Sequence, residues 1–249
     1  MKPPIFAANW KMNHAPADAT AFIRTFLANF GKRQDRSVIF FPPALSFGAV
    51  VTALKDRPDI QVGVQNIHWE DKGAFTGENS ATIARGAGAK YVLVGHSERR
   101  HVFGETDEET GKKVAAAVRA GLTPIICVGE LLAQREAGQT EQVVLRQLRA
   151  ALATISKADA ANAIIAYEPV WAIGTGKTAT PADASAVHQA IGEELHRILE
   201  GGSQVVPILY GGSVNRGNAA ELLAAPEVDG LLVGGASLDA EGWASIVLT

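Results

Sequence analysis

The sequence has 249 residues, and its 47% hydrophobic content is enough for one sizeable core. The formal net charge of -3 gives no general attraction to nucleic acid or to an anionic membrane, so any anion site must be built locally. Cys127 is the one cysteine, which excludes an intramolecular disulfide and a cysteine-based metal cluster. The sequence shows no signal-peptide h-region and no apolar run of about 18 residues, so we expect a soluble, cytoplasmic protein.

Short apolar runs recur along the chain and predict buried strands. Most are continuous rather than alternating, as is typical of parallel strands covered on both faces. The eight runs are Ile5–Trp10, Val38–Phe41, Ile60–Val64, Tyr91–Val94, Pro124–Val128, Ala163–Tyr167, Val206–Tyr210 and Gly230–Val233. Helical patterns lie between them, most clearly at Ala17–Phe30, Glu105–Ala120, Thr140–Ile155, Pro181–Leu199 and Asn218–Leu223.

This alternation of strands and helices, with no linker in the chain, predicts a single-domain α/β fold. The preferred architecture is a closed (β/α)8 TIM barrel over residues 1–249. A doubly wound open sheet is the alternative, because strand order cannot be read from one sequence. In a barrel, functional side chains lie where strands end and loops begin.

The first predicted strand ends in Asn9-Trp10-Lys11, which directs a lysine at the mouth of a barrel. An ordinary surface cation is the alternative interpretation of Lys11. The fourth strand is followed by His96, and Ser97-Glu98 resembles the start of a short helix. Because a helix N-terminus carries partial positive charge, His96 should be neutral near pH 7 and able to donate a hydrogen bond. A structural histidine bonded to backbone is the alternative there.

Glu168 directly follows the sixth predicted strand and precedes a proline, which predicts that it is the last residue of that strand. A carboxylate at a strand end, beside Trp171 and Ile173, is a candidate general base. The glycine-containing residues that follow suit a lid. A helix should then restart at Thr180-Pro181-Ala182-Asp183, which has a capping hydroxyl, an early proline and a carboxylate.

Other interpretations of the loop after Glu168 remain open. Gly176-Lys177-Thr178 resembles the end of a phosphate-binding P-loop, but that motif needs glycine where Trp171 stands. Gly174-x-Gly176-x-x-Ala179 matches a dinucleotide fingerprint, but six residues separate it from the strand. An exposed glycine-rich turn beside a surface glutamate is the simplest alternative.

Two pairs of glycines follow the last two strands, in Gly211-Gly212-Ser213 and in Gly234-Gly235. Adjacent glycines let backbone approach a ligand closely, and free N–H groups at a helix start bind anions. The loops after strands seven and eight are the usual phosphate site of such barrels. Two tight turns without a ligand are the alternative.

The remaining titratable residues are given structural roles. Cys127 is interpreted as a packing residue because no base lies beside it in sequence. Arg99-Arg100 are predicted to be ion-pair partners, and Asp107-Glu108-Glu109 to stabilise a helix N-terminus. His188 and His196 are predicted to be solvated or interfacial, and the histidines show no metal-ligand spacing.

Six segments together are similar to the triosephosphate isomerase family, and they occur in that family's order over the whole chain. They are Asn9–Asn13, Gly73–Glu78, Gly95–Arg100, Tyr167–Ala179, Tyr210–Ser213 and Gly234–Leu238. The resemblance implies an isomerase that interconverts dihydroxyacetone phosphate and glyceraldehyde 3-phosphate through an enediolate, in glycolysis and gluconeogenesis. It implies no metal and no organic cofactor.

The resemblance also implies roles for particular residues. Glu168 matches the base, His96 the neutral electrophile, and Lys11 with Asn9 the residues that stabilise the enediolate and the bound anion. Glu98 resembles the family carboxylate near that lysine. Pro169–Ala179 matches the lid. The residues matched to phosphate-binding backbone N–H groups are Gly174, Ser213, Gly234 and Gly235.

The family resemblance implies a homodimer, in which the loop containing Thr76 reaches the partner's active site near Lys11. Three other functions remain as alternatives. One is another phosphate-binding barrel isomerase or lyase, which would share the glycine pairs but has no need of the lysine, histidine and glutamate together. The others are a nucleotide-binding protein and a catalytically inactive barrel that serves as a scaffold.

Overall fold

A computed structural model describes residues 3–173, 179–201 and 206–249. In these residues eight parallel strands form a closed barrel in sequential order, with the last strand paired to the first. Closure confirms the (β/α)8 barrel and excludes the open sheet. The strands are β1 Ile5–Asn9, β2 Ser37–Phe41, β3 Ile60–Val64, β4 Tyr91–Val94, β5 Thr123–Val128, β6 Ile164–Tyr167, β7 Ile208–Tyr210 and β8 Gly230–Val233.

Helices surround the barrel, and the five predicted ones are confirmed with ends shifted by no more than three residues. Of the shorter helices in the part of the chain that the structure describes, the one that begins at Ser97 was predicted and four others were not. In the described residues the helices are α1 Pro16–Asn29, α2 Phe47–Ala53, α3 Ala81–Gly86, α4 Ser97–Val102, α5 Asp107–Arg119, α6 Leu132–Glu136, α7 Thr140–Leu152, α8 Lys157–Ala160, α9 Pro181–Ile198, α10 Ala219–Leu223 and α11 Ala240–Val247. None of these helices has the length and apolar character needed to cross a membrane.

Local capping explains where two of the long helices, α5 and α9, begin. The Thr180 hydroxyl accepts a hydrogen bond from the Asp183 N–H at 3.1 Å, and the Asp183 carboxylate accepts one from the Thr180 N–H at 3.0 Å. This reciprocal pair satisfies donors at the start of α9 and confirms the predicted restart after the sixth loop. Thr106 and Glu109 form the same arrangement at the start of α5.

The core has two layers because each strand is covered on both faces. Alternate strand residues point into the barrel, where ten of them form one cluster: Ala7, Ile39, Phe41, Leu93, Ile125, Cys127, Ile164, Ala166, Leu209 and Leu232. The other strand residues pack outward against the helices. This double burial accounts for the continuous apolar runs. Cys127 is fully buried, and burial raises its pKa, as expected for a packing residue.

Two local predictions were wrong. Glu168 is not the last strand residue, since β6 ends at Tyr167, although the Glu168 N–H still donates to the Val128 carbonyl at 2.8 Å. His188 is fully buried, whereas His196 is exposed. On a helix of 3.6 residues per turn, two positions eight residues apart point about 80° away from each other, so the two side chains need not share an environment.

His188 predicts a pH dependence of stability. Burial lowers its pKa from 6.5 to about 4, although its Nδ1 lies 2.8 Å from the Glu227 carbonyl oxygen. The unfolded chain therefore binds this proton more readily than the folded protein. The contribution of neutral His188 is fully present above pH 6.5 and is lost as the pH falls from 6.5 towards 4, by about 3 kcal/mol.

Urea unfolding between pH 4 and 7.5 at fixed protein concentration measures this effect. His188→Gln should flatten the dependence of the unfolding free energy on pH over that range, whatever its effect at neutral pH. His196→Gln, on the exposed side of the same helix, is the matched control and should keep the native slope. Equal slopes for the two variants would contradict the assignment.

Candidate functional site

A cavity of about 340 Å³ opens at the carboxyl ends of the strands. It receives residues that follow β1, β4, β6, β7 and β8, so it lies where barrel chemistry was expected. The structure brings together every predicted site residue that it describes: Asn9, Lys11, His96, Glu168, Ser213, Gly234 and Gly235. Gly174, the remaining predicted residue, lies outside the described residues.

Lys11 has an unusual backbone conformation. Its φ is 53°, in the left-handed region that non-glycine residues rarely adopt. The Lys11 N–H donates to Asn9 Oδ1 at 3.0 Å, and the Gln65 amide donates to the Lys11 carbonyl at 2.8 Å. Gln65 also donates to the carbonyl of Phe41. These two polar side chains hold the lysine in place, and sequence analysis missed Gln65 because no local pattern points to it.

The Lys11 side chain extends along the cavity wall. Its Nζ lies 2.7 Å from Glu98 Oε1, and both side chains are partly exposed. A Cβ added at Gly234 would stand 3.1 Å from Lys11 Cε, so the absence of a side chain there makes room for the lysine. Glu98 is therefore near the lysine, as the family resemblance implies.

His96 is the N-cap residue of α4, which confirms the predicted helix start at Ser97. Its Nδ1 accepts a hydrogen bond from the Glu98 N–H at 3.2 Å. A nitrogen that accepts carries no proton, which assigns the ring hydrogen to Nε2 in the neutral imidazole. Nε2 lies 2.9 Å from Glu168 Oε1, where it donates to the carboxylate.

The Glu168 carboxylate is almost completely buried, with 2% exposure of the residue. Its second oxygen, Oε2, accepts a hydrogen bond from the Ser97 N–H at 2.8 Å. Burial alone would raise its pKa, but His96, the Ser97 N–H and the Lys11 charge outweigh burial, and the pKa of Glu168 is lowered. The carboxylate is therefore ionised in the ligand-free protein at neutral pH.

The pKa of His96 differs from the expectation based on the helix N-terminus. Burial lowers it, as the start of α4 was expected to do, but the charge of Glu168 and its hydrogen bond raise it more. The net direction is upward, since a carboxylate in contact outweighs the partial charge of a short helix. The pKa of His96 therefore depends on where the Glu168 carboxylate lies.

The two glycine pairs differ in what they do. A Cβ at Gly211 would stand 3.0 Å from Glu168 Cγ, and one at Gly212 would stand 2.2 Å from the Tyr210 hydroxyl oxygen. This pair is needed for close packing beside the carboxylate. At Gly235 an added Cβ would meet no atom within 4 Å, so that backbone faces the open cavity. Ser213 and Gly234 also line the cavity.

The loop after Glu168 begins with a short 3-10 helix, Val170–Ala172. The Trp171 indole donates to Glu130 Oε1 at 2.8 Å, and the Tyr167 hydroxyl lies 3.2 Å from both Glu130 oxygens. Glu130 is fully buried, so it anchors the start of this loop, a role that sequence analysis missed. Residues 174–178, which carry the predicted lid centre and both nucleotide-binding motifs, lie outside the described residues.

The described residues contain no group of three or more histidine, cysteine, aspartate and glutamate side chains arranged to hold a metal ion. What the cavity does contain is a carboxylate, an imidazole and an ammonium group, together with exposed glycine backbone. A barrel with this site defines an acid–base enzyme that acts on a small anion.

Comparison with known proteins identifies the family. The family model for triosephosphate isomerase matches residues 4–249. Triosephosphate isomerases of Chloroflexus aurantiacus and Solibacter usitatus are 48% and 47% identical to this chain, over 99% of this chain and 99% of each relative. That of Moorella thermoacetica is 48% identical, over 99% of this chain and 98% of the relative. The chain belongs to the triosephosphate isomerase family.

The contact between Glu168 and His96 predicts the titration of the imidazole. In the ligand-free protein, His96 should titrate above 6.5, and Glu168→Gln should move its pKa downward because burial then acts without the opposing carboxylate. NMR titration of protein labelled with 15N-histidine measures this shift. Glu98→Gln is the control, since the Glu98 carboxylate lies 3.8 Å from His96 Nδ1 and its loss should lower the His96 pKa less. Equal His96 midpoints in the native protein and Glu168→Gln would contradict the assignment.

Proposed function

We propose that this protein interconverts dihydroxyacetone phosphate and D-glyceraldehyde 3-phosphate by proton transfer through an enediolate, as an enzyme of glycolysis and gluconeogenesis. One observation carries the proposal beyond family membership: Lys11, His96 and Glu168, from three distant parts of the chain, line the same small cavity. Removing a proton from carbon next to a carbonyl needs a base at the carbon and electrostatic stabilisation at the oxygen. This cavity contains groups for both tasks.

The phosphate of the substrate is assigned to the side of the cavity formed by the loops after β7 and β8. Ser213, Gly234 and Gly235 line that side, and Gly235 leaves its backbone accessible. Backbone N–H groups there and at Gly174 would donate to phosphate oxygens. The Lys11 ammonium adds the positive charge that a protein of net charge -3 must supply locally.

Glu168 is the proposed base, and its contacts support a change in base strength when substrate binds. In the ligand-free protein His96 and the Ser97 N–H stabilise the carboxylate and lower its pKa. To reach a substrate carbon, the carboxylate must leave those partners. Burial then acts without them and raises the pKa, which makes the carboxylate a stronger base.

Movement of Glu168 also prepares His96. Once the carboxylate leaves, the main cause that raises the His96 pKa is removed, so the pKa falls and the neutral ring with its hydrogen on Nε2 is favoured. That N–H is then free to donate to the substrate carbonyl oxygen, where negative charge develops. Lys11 stabilises the same charge from the other side of the cavity, and Asn9 contacts both the lysine backbone and the His96 ring.

The apolar start of the loop after Glu168 excludes water in this proposal. Ile173 lines the cavity, and Trp171, two residues before it in sequence, has its indole bonded to Glu130. A water-poor site strengthens the electrostatic contacts and protects the enediolate, which otherwise loses phosphate. No metal ion or organic cofactor takes part in these steps.

A coupled assay with glyceraldehyde 3-phosphate tests the activity, and Glu168→Asp tests the base. Shortening the side chain by one methylene displaces the carboxylate by about 1 Å, so we expect kcat to fall about 100-fold with a much smaller change in KM. Glu221→Asp, the same change at an exposed helix position, should leave both constants unchanged. Glu168→Asp with native kcat would remove the base assignment.

We also propose a homodimer, which follows from the family resemblance and is supported by the exposed surface. Among the described residues, most of the exposed large apolar side chains follow β1, β2, β3 and β4, which are neighbours in the barrel. Met12 is 94% exposed, Leu45 91% and Val102 73%. Exposed apolar groups concentrated on one part of a surface mark an interaction site. The loop with Phe75 and Thr76 lies in the same region, as contact with a second copy requires.

Light scattering at micromolar concentration should give twice the 26.2 kDa chain mass. Phe75→Asp should shift the mass to that of one chain, because burial of an unpaired carboxylate at an interface costs several kcal/mol. Leu248→Asp is the matched control, since Leu248 is also 43% exposed but lies at the end of the chain. A native protein with the mass of one chain would contradict the dimer.

A cytoplasmic location is part of the proposal because glycolysis and gluconeogenesis use phosphorylated intermediates that remain inside the cell. The buried, unpaired Cys127 is compatible with a reducing compartment.

A further inference from the structure

The peptide groups on either side of His96 are both bonded to one residue, Arg100. Its backbone N–H donates to the His96 carbonyl at 3.1 Å, as in any helix start. Its side-chain Nε donates to the Gly95 carbonyl at 2.7 Å. The first bond would form with almost any residue at position 100, whereas the second requires the arginine side chain.

The Arg100 guanidinium is itself fixed in place. Nη1 donates to Asp107 Oδ1 at 2.7 Å, and Nη2 donates to the Cys127 carbonyl at 3.3 Å. The side chain is 6% exposed. Since Cys127 lies in β5, the guanidinium connects the end of β4 to the neighbouring strand. A planar group with several donors in fixed directions is suited to three acceptors at once.

Gly95 is shaped to receive this side chain. Its φ is +72°, and an added Cβ would stand 2.7 Å from Arg100 Nη2 and 2.9 Å from Thr110 Cγ2. Its N–H donates to Glu105 Oε1 at 3.2 Å. Both hydrogen-bonding groups of Gly95 are therefore bonded to charged side chains, immediately before His96.

We propose that Arg100 is a positioning residue for His96, an inference that rests on the proposed function. The ring direction of His96 follows from the orientation of the two peptide groups that flank its Cα, and the arginine holds both. Neighbouring Arg99 reaches this segment only indirectly, because its side chain bonds to Glu105, which accepts from the Gly95 N–H. Loss of the guanidinium releases the Gly95 carbonyl and lets the ring turn away from the position that a substrate oxygen would occupy.

The test compares Arg100→Met with Arg149→Met. Arg149 also forms an ion pair from a helix, with Glu194, but does not contact Gly95. We expect Arg100→Met to lower kcat about 10- to 100-fold with KM changed by less than about threefold, because misplacement of a catalytic group by about 1 Å has effects of this size. The control should keep native constants. Guanidinium ion added to Arg100→Ala should restore part of the lost kcat.

NMR of 15N-histidine-labelled protein provides a readout that does not depend on activity. Arg100→Met should shift the His96 ring signals, whereas Arg149→Met should not. If Arg100→Met fails to fold, Asp107→Asn replaces it, since this change keeps the arginine but weakens one of its anchors. It should lower kcat a few-fold and shift the His96 ring signals away from their native positions, in the same direction as in Arg100→Ala.

Native kcat together with unchanged His96 signals, in a folded Arg100→Met or in Asp107→Asn, would overturn the proposal. A native protein without isomerase activity would instead contradict the proposed function, and the ring signals would still report on the positioning role.

Discussion

The organisation of the active-site end depends on keeping an ionised carboxylate nearly out of water. Glu168 is stable there because His96 and the Ser97 N–H bond to its two oxygens. The backbone around it is adapted to the same requirement. A Cβ at Gly129 would stand 1.8 Å from the Glu168 carbonyl oxygen, and one at Gly211 would crowd its side chain. The glycines that follow β5 and β7 therefore leave the space that Glu168 needs.

The same contacts set the pKa values of both groups. They lower the pKa of Glu168 and raise that of His96. In the proposed mechanism, a substrate that draws Glu168 away separates the two groups and reverses both shifts. Glu130 bonds to Tyr167 and Trp171, on either side of Glu168 in sequence, and so fixes the backbone of this strand end.

Much of the fold could be predicted from sequence because the barrel is dominated by local, repeated patterns. Double burial makes the strands visible as continuous apolar runs, and the reciprocal caps of α5 and α9 mark helix starts. The short helices α2, α3, α6 and α8 were missed, since fewer than two turns of periodicity separate poorly from loop.

The candidate site also has residues that could be predicted from sequence and residues that could not. The residues at strand ends were predicted because a barrel gathers those ends at one mouth. Gln65 and Glu130 were missed because their partners are distant in sequence and only the folded chain brings them together. The helix N-terminus was expected to oppose protonation of His96, whereas its pKa is raised, since the expectation included the local helix but not the carboxylate that follows β6.

The left-handed backbone of Lys11 has a consequence for how the protein can evolve. A non-glycine residue in that region costs about 1–3 kcal/mol, which the bonds from Asn9 and Gln65 offset. Glycine or asparagine would relieve the strain, so either substitution at position 11 would raise the free energy of unfolding and favour thermal stability. Either substitution would remove the lysine ammonium group from the cavity. With the role proposed for Lys11, a lineage that keeps its catalytic function must gain thermal stability elsewhere in the barrel.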